Sequence, residues 1–325
     1  MQFRILGLVE VEDEQSGLRI LPTGAKQRAL LGALVVRAGH NVSAHRLIDE
    51  LWGQRPPANA ANALQVHVAR LRRLLSGPQK RHVEQHARRP WIVTTSHGYT
   101  LQLASVETDA TRFEHLTAQG RRILFDDPGQ AGELLRRALS LWRGPALEGS
   151  VLGDICAVEA AQLEEHRLTA LEMMYDAYLR TGRHSEITGE LMELTVDHPM
   201  REAFYDLLMV AFYRCGRQAE ALGVYARAYH HMVHELGVEP SPALRGLRER
   251  ILRHDPALAS ASSPVPAAAP RAGADTAADD VVLLPLYREI AGLQRRIEQL
   301  QQEQHRLLCR FDELTASTAR RVTVG

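Results

Sequence analysis

Between Asn59 and Leu75 the chain alternates polar and apolar residues at the period of an α-helix. At 100° per residue, Leu64, Val68, Leu71 and Leu75 fall within about 60° of one another and must face a core. The opposite side presents Asn59, Asn62, Val66, Ala69, Arg70 and Arg73. These residue types match the edges of base pairs in a major groove. Arg pairs with guanine or with phosphates, Asn with adenine, and Ala or Val packs on a thymine methyl. Other side chains suit the sugar–phosphate backbone, where contacts position a protein without reading sequence. Arg72 lies at the edge of the same face. Lys80, Arg81, Arg88 and Arg89 precede a predicted hairpin that carries Thr94, Thr95 and His97.

Other chemistry has little support. His230, His231 and His234 include an i, i+4 pair, but no neighbouring Cys or clear carboxylate completes a metal site, and none is expected. Glu164-Glu165 and Asp126-Asp127 sit in helical or turn contexts without a second carboxylate at fixed geometry. The sequence holds no GxxxxGK[ST] loop, no GxGxxG after a strand and no HExxH. No catalytic residue and no cofactor is therefore expected, and the chain reads as a non-enzyme. Cys156, Cys215 and Cys309 are isolated, which disfavours a disulfide scaffold or a zinc ribbon. The N-terminus does not read as a signal peptide, and no apolar run reaches membrane-spanning length. The expectation is a reducing, cytosolic setting without membrane contact.

The elements that must position the 59–75 helix are legible around it. Short β-type runs cover Phe3 to Leu8, Val9 to Glu12 and Leu18 to Leu21. A helix follows Gly24, with Ala29, Leu30, Leu34 and Val35 on one face, and Gly39 ends it. Ser43 can cap a second helix holding Leu47, Ile48 and Leu51. Pro56 and Pro57 break the chain before the third helix. Trp91 to Leu103 reads as two strands turning at Ser96, His97 and Gly98. Strands, three helices and a hairpin are the order of a winged helix-turn-helix with an extra N-terminal sheet.

From about Thr108 to Arg253 the pattern is helical throughout. Thr181-Gly182-Arg183 recurs as Cys215-Gly216-Arg217, 34 residues on. At that offset Leu171 matches Tyr205, Tyr178 matches Phe212, and Leu191 matches Tyr225. A 34-residue period predicts stacked helix pairs of tetratricopeptide type. Such pairs bury their apolar faces only against neighbours and offer a surface to partner proteins. Helices near 108–125 and 129–143 form an earlier, divergent pair, and the helix after Pro240 caps the stack.

The whole chain is neutral, with 39 Lys plus Arg against 39 Asp plus Glu in 325 residues. The sign is segregated, however: residues 1–104 carry +7, residues 105–254 carry −6, and residues 255–325 carry −1. A basic head before an acidic helical part favours a nucleic-acid contact at the N-terminal end. Residues 255–280 are rich in Ala, Pro, Ser and Asp and read as a flexible linker. A heptad follows, with Leu286, Leu293, Leu300, Leu307 and Leu314 at one core position and Ile290, Ile297, Gln304 and Phe311 at the other. This predicts a coiled-coil helix over 281–316 and a tail over 317–325. An antiparallel self-pairing would set Glu289 against Arg310 and Arg296 against Glu303; parallel pairing or packing on the same chain stays open.

Taken together, KQRALLGALVVRAGHNVSAHRLIDELWG, ANALQVHVARLRRLL and the SHGYTLQL hairpin resemble the OmpR-type winged helix of the Streptomyces antibiotic regulatory proteins. LSLWRGPALEG and the 34-residue repeats are similar to that family's bacterial transcriptional activation domain. The resemblance covers roughly residues 1–254, the small form of the family without its ATPase region. It implies a mainly α fold, with winged helix 1–104 and activation domain 105–254. It also implies an activator that binds direct repeats in double-stranded promoter DNA, works at the nucleoid as a homodimer at least on DNA, and switches on a secondary-metabolite (antibiotic) gene cluster. It further implies a contact with RNA polymerase, through the sigma factor or the C-terminal domain of the polymerase α chain. By motif position Arg70 is the base or phosphate reader. OmpR-type wings often carry a basic residue just before the Gly-Tyr pair; here stand Thr94-Thr95-Ser96-His97, so wing contact is weaker or depends on His97. The coiled coil lies outside the resemblance. A second reading is a protein-interaction scaffold whose winged domain serves contacts other than DNA. It would gain if Asn62, Val66, Arg70 and Arg73 were buried against the repeats.

Overall fold

A computed structural model describes residues 1–13, 17–76, 91–103, 108–235 and 237–259. The expected linker begins too early: residues 255–259 are folded, with Leu258 buried and its carbonyl accepting from Arg214 Nε at 2.9 Å. Its remainder from 260, the coiled-coil heptad, the tail and the cations Lys80, Arg81, Arg88 and Arg89 lie outside the described residues. The chain opens with an antiparallel meander of β1 (Gln2–Arg4), β2 (Glu10–Asp13) and β3 (Leu18–Ile20), with Phe3 opposite Val11 and Glu12 opposite Arg19. Helices α1 (Ala25–Val36), α2 (Ala44–Trp52) and α3 (Ala60–Ser76) follow. A second small sheet has the order β4 (Val42–Ser43), β6 (Gly98–Leu101), β5 (Ile92–Thr94).

Local chemistry accounts for these elements. Ser43 accepts the Arg46 N–H at 3.3 Å and caps α2, as its type and position predict. The hairpin closes with Thr95 N–H donating to the Gly98 carbonyl at 2.9 Å. A Cβ on Gly98 would lie 2.0 Å from the Val42 carbonyl oxygen, so only glycine lets β4 and β6 approach. β4 was not anticipated from sequence. It is two residues long, below the length at which alternation can be read. Helix α1 departs from the one-faced pattern: Ala29 to Val35 are all buried. Neighbours on several sides, including α2, α3 and the later helix α6, leave it no solvent face.

The remaining described chain is helical: α4 (Asp109–Ile123), α5 (Pro128–Leu139), α6 (Asp154–Arg180), α7 (Thr188–Asp197), α8 (Glu202–Arg214), α9 (Gln218–His230), a π-turn at His231–Glu235, α10 (Pro242–Leu252) and the short α11 (Pro256–Ala259). The 34-residue repeat is reproduced atom by atom. Gly182 and Gly216 both take positive φ, +78° and +75°. Arg183 N–H donates to the Tyr178 carbonyl and Arg217 N–H to that of Phe212, each at 2.9 Å. Each Arg stacks on that same ring, at 4.1 and 4.4 Å, and pairs with Glu186 or Glu220. One turn chemistry thus ends α6 and α8 identically.

The winged and helical parts share one continuous apolar core, from Phe3 through Leu34 and Cys156 to Tyr205. Two buried carboxylates fasten them. Glu50 of α2, 2% exposed, accepts the N–H groups of Gly153, Ile155 and Cys156 at 3.0, 2.7 and 3.1 Å. It thereby caps the 27-residue helix α6, whose own N-cap is glycine without a side chain to offer. Asp109 of α4, 1% exposed, accepts the N–H groups of Ile5 and Leu6 at 2.8 and 3.0 Å. Arg143 joins it at 3.2 Å and reaches Glu10 at 2.9 Å. Burial pushes the Asp109 carboxyl up, against the opposing pull of these N–H groups and Arg143.

Candidate nucleic-acid interface

Helix α3 is set on the body by Leu64, Val68, Leu71 and Leu75, all buried. Each such side chain contributes about 1.5–3 kcal/mol of apolar burial. The far side is open. Asn59, Asn62, Val66, Ala69, Arg70 and Arg73 are all exposed, and no other described element covers them. Val66 keeps 43% of its surface in solvent. From Asn62 to Arg73 the face runs about 16 Å along the helix, the rise of about five base-pair steps. Neither Arg70 nor Arg73 has a carboxylate partner among the described residues.

Some predicted members have a job in the fold. Asn59 is the N-cap: its Oδ1 accepts the Asn62 N–H at 3.3 Å. Arg72 donates from Nε to the Ile92 carbonyl at 3.0 Å and from Nη2 to Thr94 Oγ1 at 2.7 Å. Its guanidinium ties the hairpin to α3, and it acts as a positioning residue. Thr94 is exposed, with its hydroxyl accepting that bond. Thr95 donates to Asn41 Oδ1 at 2.7 Å, and the exposed His97 ring lies 2.7 Å from Ser96 Oγ. Phe3 packs edge-on to Trp91 at 5.3 Å, which links the N-terminal meander to the start of the hairpin. The hairpin is therefore held at a fixed attitude beside α3.

Gln65 was missed. It is exposed between Asn62 and Ala69, and its carboxamide has the bidentate fork that suits adenine. The helical arithmetic that selected Asn62 places Gln65 about 60° from it, so the signal was present. On the buried side of α3, His67 faces Trp52 at 5.9 Å between centroids. Burial first, then the charges of Arg70 and Lys26, hold its pKa below the ordinary value. The His230, His231 and His234 rings are neighbours, but among the described residues no cluster of three His, Cys, Asp or Glu side chains is arranged to hold a metal ion. No described helix is long and apolar enough to cross a membrane.

Residues 19–93 match the family model "Transcriptional regulatory protein, C terminal", and residues 108–252 match "Bacterial transcriptional activator domain". The chain is 40% identical to the transcriptional regulator RedD of Streptomyces coelicolor over 79% of its own length and 72% of that protein. It is 36% identical to the regulatory protein DnrI of Streptomyces peucetius, over 83% of this chain and 98% of that one. The solved structure of Mycobacterium tuberculosis EmbR, in complex with a low-affinity phosphopeptide, superposes with a TM-score of 0.71 at 32% identity, covering 81% of this chain and 68% of that one. The winged fold, the 34-residue helix pairs and these relatives agree: the chain belongs to the Streptomyces antibiotic regulatory protein family of transcriptional regulators, with an OmpR-type winged helix and a bacterial transcriptional activation domain.

Proposed function

We propose that the chain binds double-stranded promoter DNA in a sequence-specific manner and activates transcription by recruiting RNA polymerase. The exposed polar face of α3, whose Arg70 and Arg73 have no carboxylate partner among the described residues, carries this reading. Asn62, Gln65 and Val66 occupy the N-terminal half, which enters the major groove in helix-turn-helix proteins, and Ala69 follows just past the midpoint. Arg70 and Arg73 reach guanine edges or phosphates beyond it. The scaffold alternative needs that face for something else, and its exposure favours DNA. Residues 1–104 serve as the reader and 105–254 as the activating part. Copies bind direct repeats head to tail as a homodimer, and the acidic repeats offer a surface to the sigma factor or the C-terminal domain of the polymerase α chain. A coiled coil over 281–316 would raise the local concentration of a second copy through a linker that starts after Ala259. The target is a secondary-metabolite (antibiotic) gene cluster, and the protein works in the cytoplasm at the nucleoid without a cofactor.

The test is selection of bound duplexes from a random pool, footprinting of the selected repeat in the chromosome, and transcription with purified polymerase. Enrichment of a repeated motif whose promoter is stimulated is the expected result. A pool that stays random after selection would overturn the reading.

A further inference from the structure

Lys26 lies in the first turn of α1 and is one of two lysines in the chain. Its ammonium sits 4.9 Å from the centroid of the Trp52 indole at the end of α2. That ring is 5.9 Å from His67 of α3, one turn before Arg70. Lys26, Trp52 and His67 thus form a chain of contacts that ends one helical turn from Arg70, and burial together with the charges of Arg70 and Lys26 lowers the His67 pKa. Neither cation has a carboxylate partner among the described residues.

The placement of these groups about α3 is informative. Measured from Asn62, Arg70 lies about 80° to one side and Arg72 about 80° to the other. A helix in a major groove has a phosphodiester strand running along each flank. On the Arg72 flank stands the tied hairpin. On the Arg70 flank stand Trp52 and Lys26.

We propose that Lys26 and Arg70 form a phosphate seat on the α1–α2 flank of α3, opposite the hairpin. The indole face holds the Lys26 stem and ammonium in place through a cation–π contact, which limits the freedom lost on binding. The ammonium then supplies a point charge to a phosphate oxygen, and Arg70 supplies N–H donors from the neighbouring turn. In helix-turn-helix proteins the helix ahead of the reader crosses the DNA backbone, and here that role extends to the start of α1. The proposal rests on the DNA-binding reading above and names a contact within it.

The test uses the full chain with Lys26→Met, Lys26→Gln and Lys26→Arg. Affinity is measured by fluorescence anisotropy for a duplex of arbitrary sequence and for a selected duplex, from about 50 to 200 mM salt. Lys26→Met and Lys26→Gln are expected to weaken both duplexes alike, by about 3- to 10-fold, and to make the salt slope shallower by about 1. Lys26→Arg is expected to keep most of the affinity. Folded variants that bind both duplexes with the wild-type slope would overturn the seat, as would a loss confined to the selected duplex. A wild-type chain that binds neither duplex removes the DNA-binding reading itself, and the seat with it.

Discussion

The joint between the winged and helical parts and the outer face of α3 treat charge in opposite ways. At the joint, Glu50 and Asp109 are buried and every bond they make is to a donor fixed by the fold. On α3, Arg70 and Arg73 stand in water, and no carboxylate among the described residues meets them. A buried charge without partners is costly, so the joint must satisfy its groups internally. A ligand site must leave its groups unsatisfied until the ligand arrives. The contrast separates residues that hold the molecule together from residues that wait for something else. Arg72 shows that helix face alone does not decide the class: it lies on α3 but spends its donors on Ile92 and Thr94.

The largest expected effect comes from breaking the joint. Glu50→Ala leaves the N–H groups of Gly153, Ile155 and Cys156 without an acceptor, at a cost of about 2–4 kcal/mol. Denaturant unfolding should show that loss, and Glu50→Gln a smaller one. A Glu50→Ala chain as stable as the wild type would show that the carboxylate does not hold the joint. Asp206 sharpens the contrast from within α8. Its Oδ1 is buried with no partner, and burial, aided by the neighbouring Glu202 charge, pushes its pKa up to about 7. A carboxyl whose folded pKa lies above its unfolded one stabilises the fold fully below about pH 4, and that contribution is lost as pH rises through about 7. Asp206→Asn should therefore match wild type near pH 4 and exceed it by about 1–3 kcal/mol at pH 8. Parallel pH–stability curves would contradict this. The smallest effect belongs to Arg72. Arg72→Met should cost about 1 kcal/mol of stability through the lost hairpin bonds, whereas Arg73→Met should cost none measurable by thermal melting.

Much of this is legible in the sequence. The α3 face was legible because one period fixes both its buried and its open side. The helical repeat was legible because a glycine turn and a ring-stacked arginine recur together at 34 residues. The joint was not: Glu50 and Cys156 are 106 residues apart, and a lone Glu in an amphipathic helix looks like any solvated one. The role of Arg72 was equally hidden. Its angle put it at the edge of the face, but only the fold brings Ile92 and Thr94 beneath its guanidinium.

The central claim is that the uncompensated face of α3 is the DNA-reading surface. Its most direct test is binding of the selected duplex by the Arg70→Ala, Arg73→Ala double variant, measured across salt alongside thermal melting. The account predicts an unchanged melting temperature, an affinity lower by at least about 100-fold, and a salt slope shallower by up to about 2. Wild-type affinity in a folded double variant would contradict it.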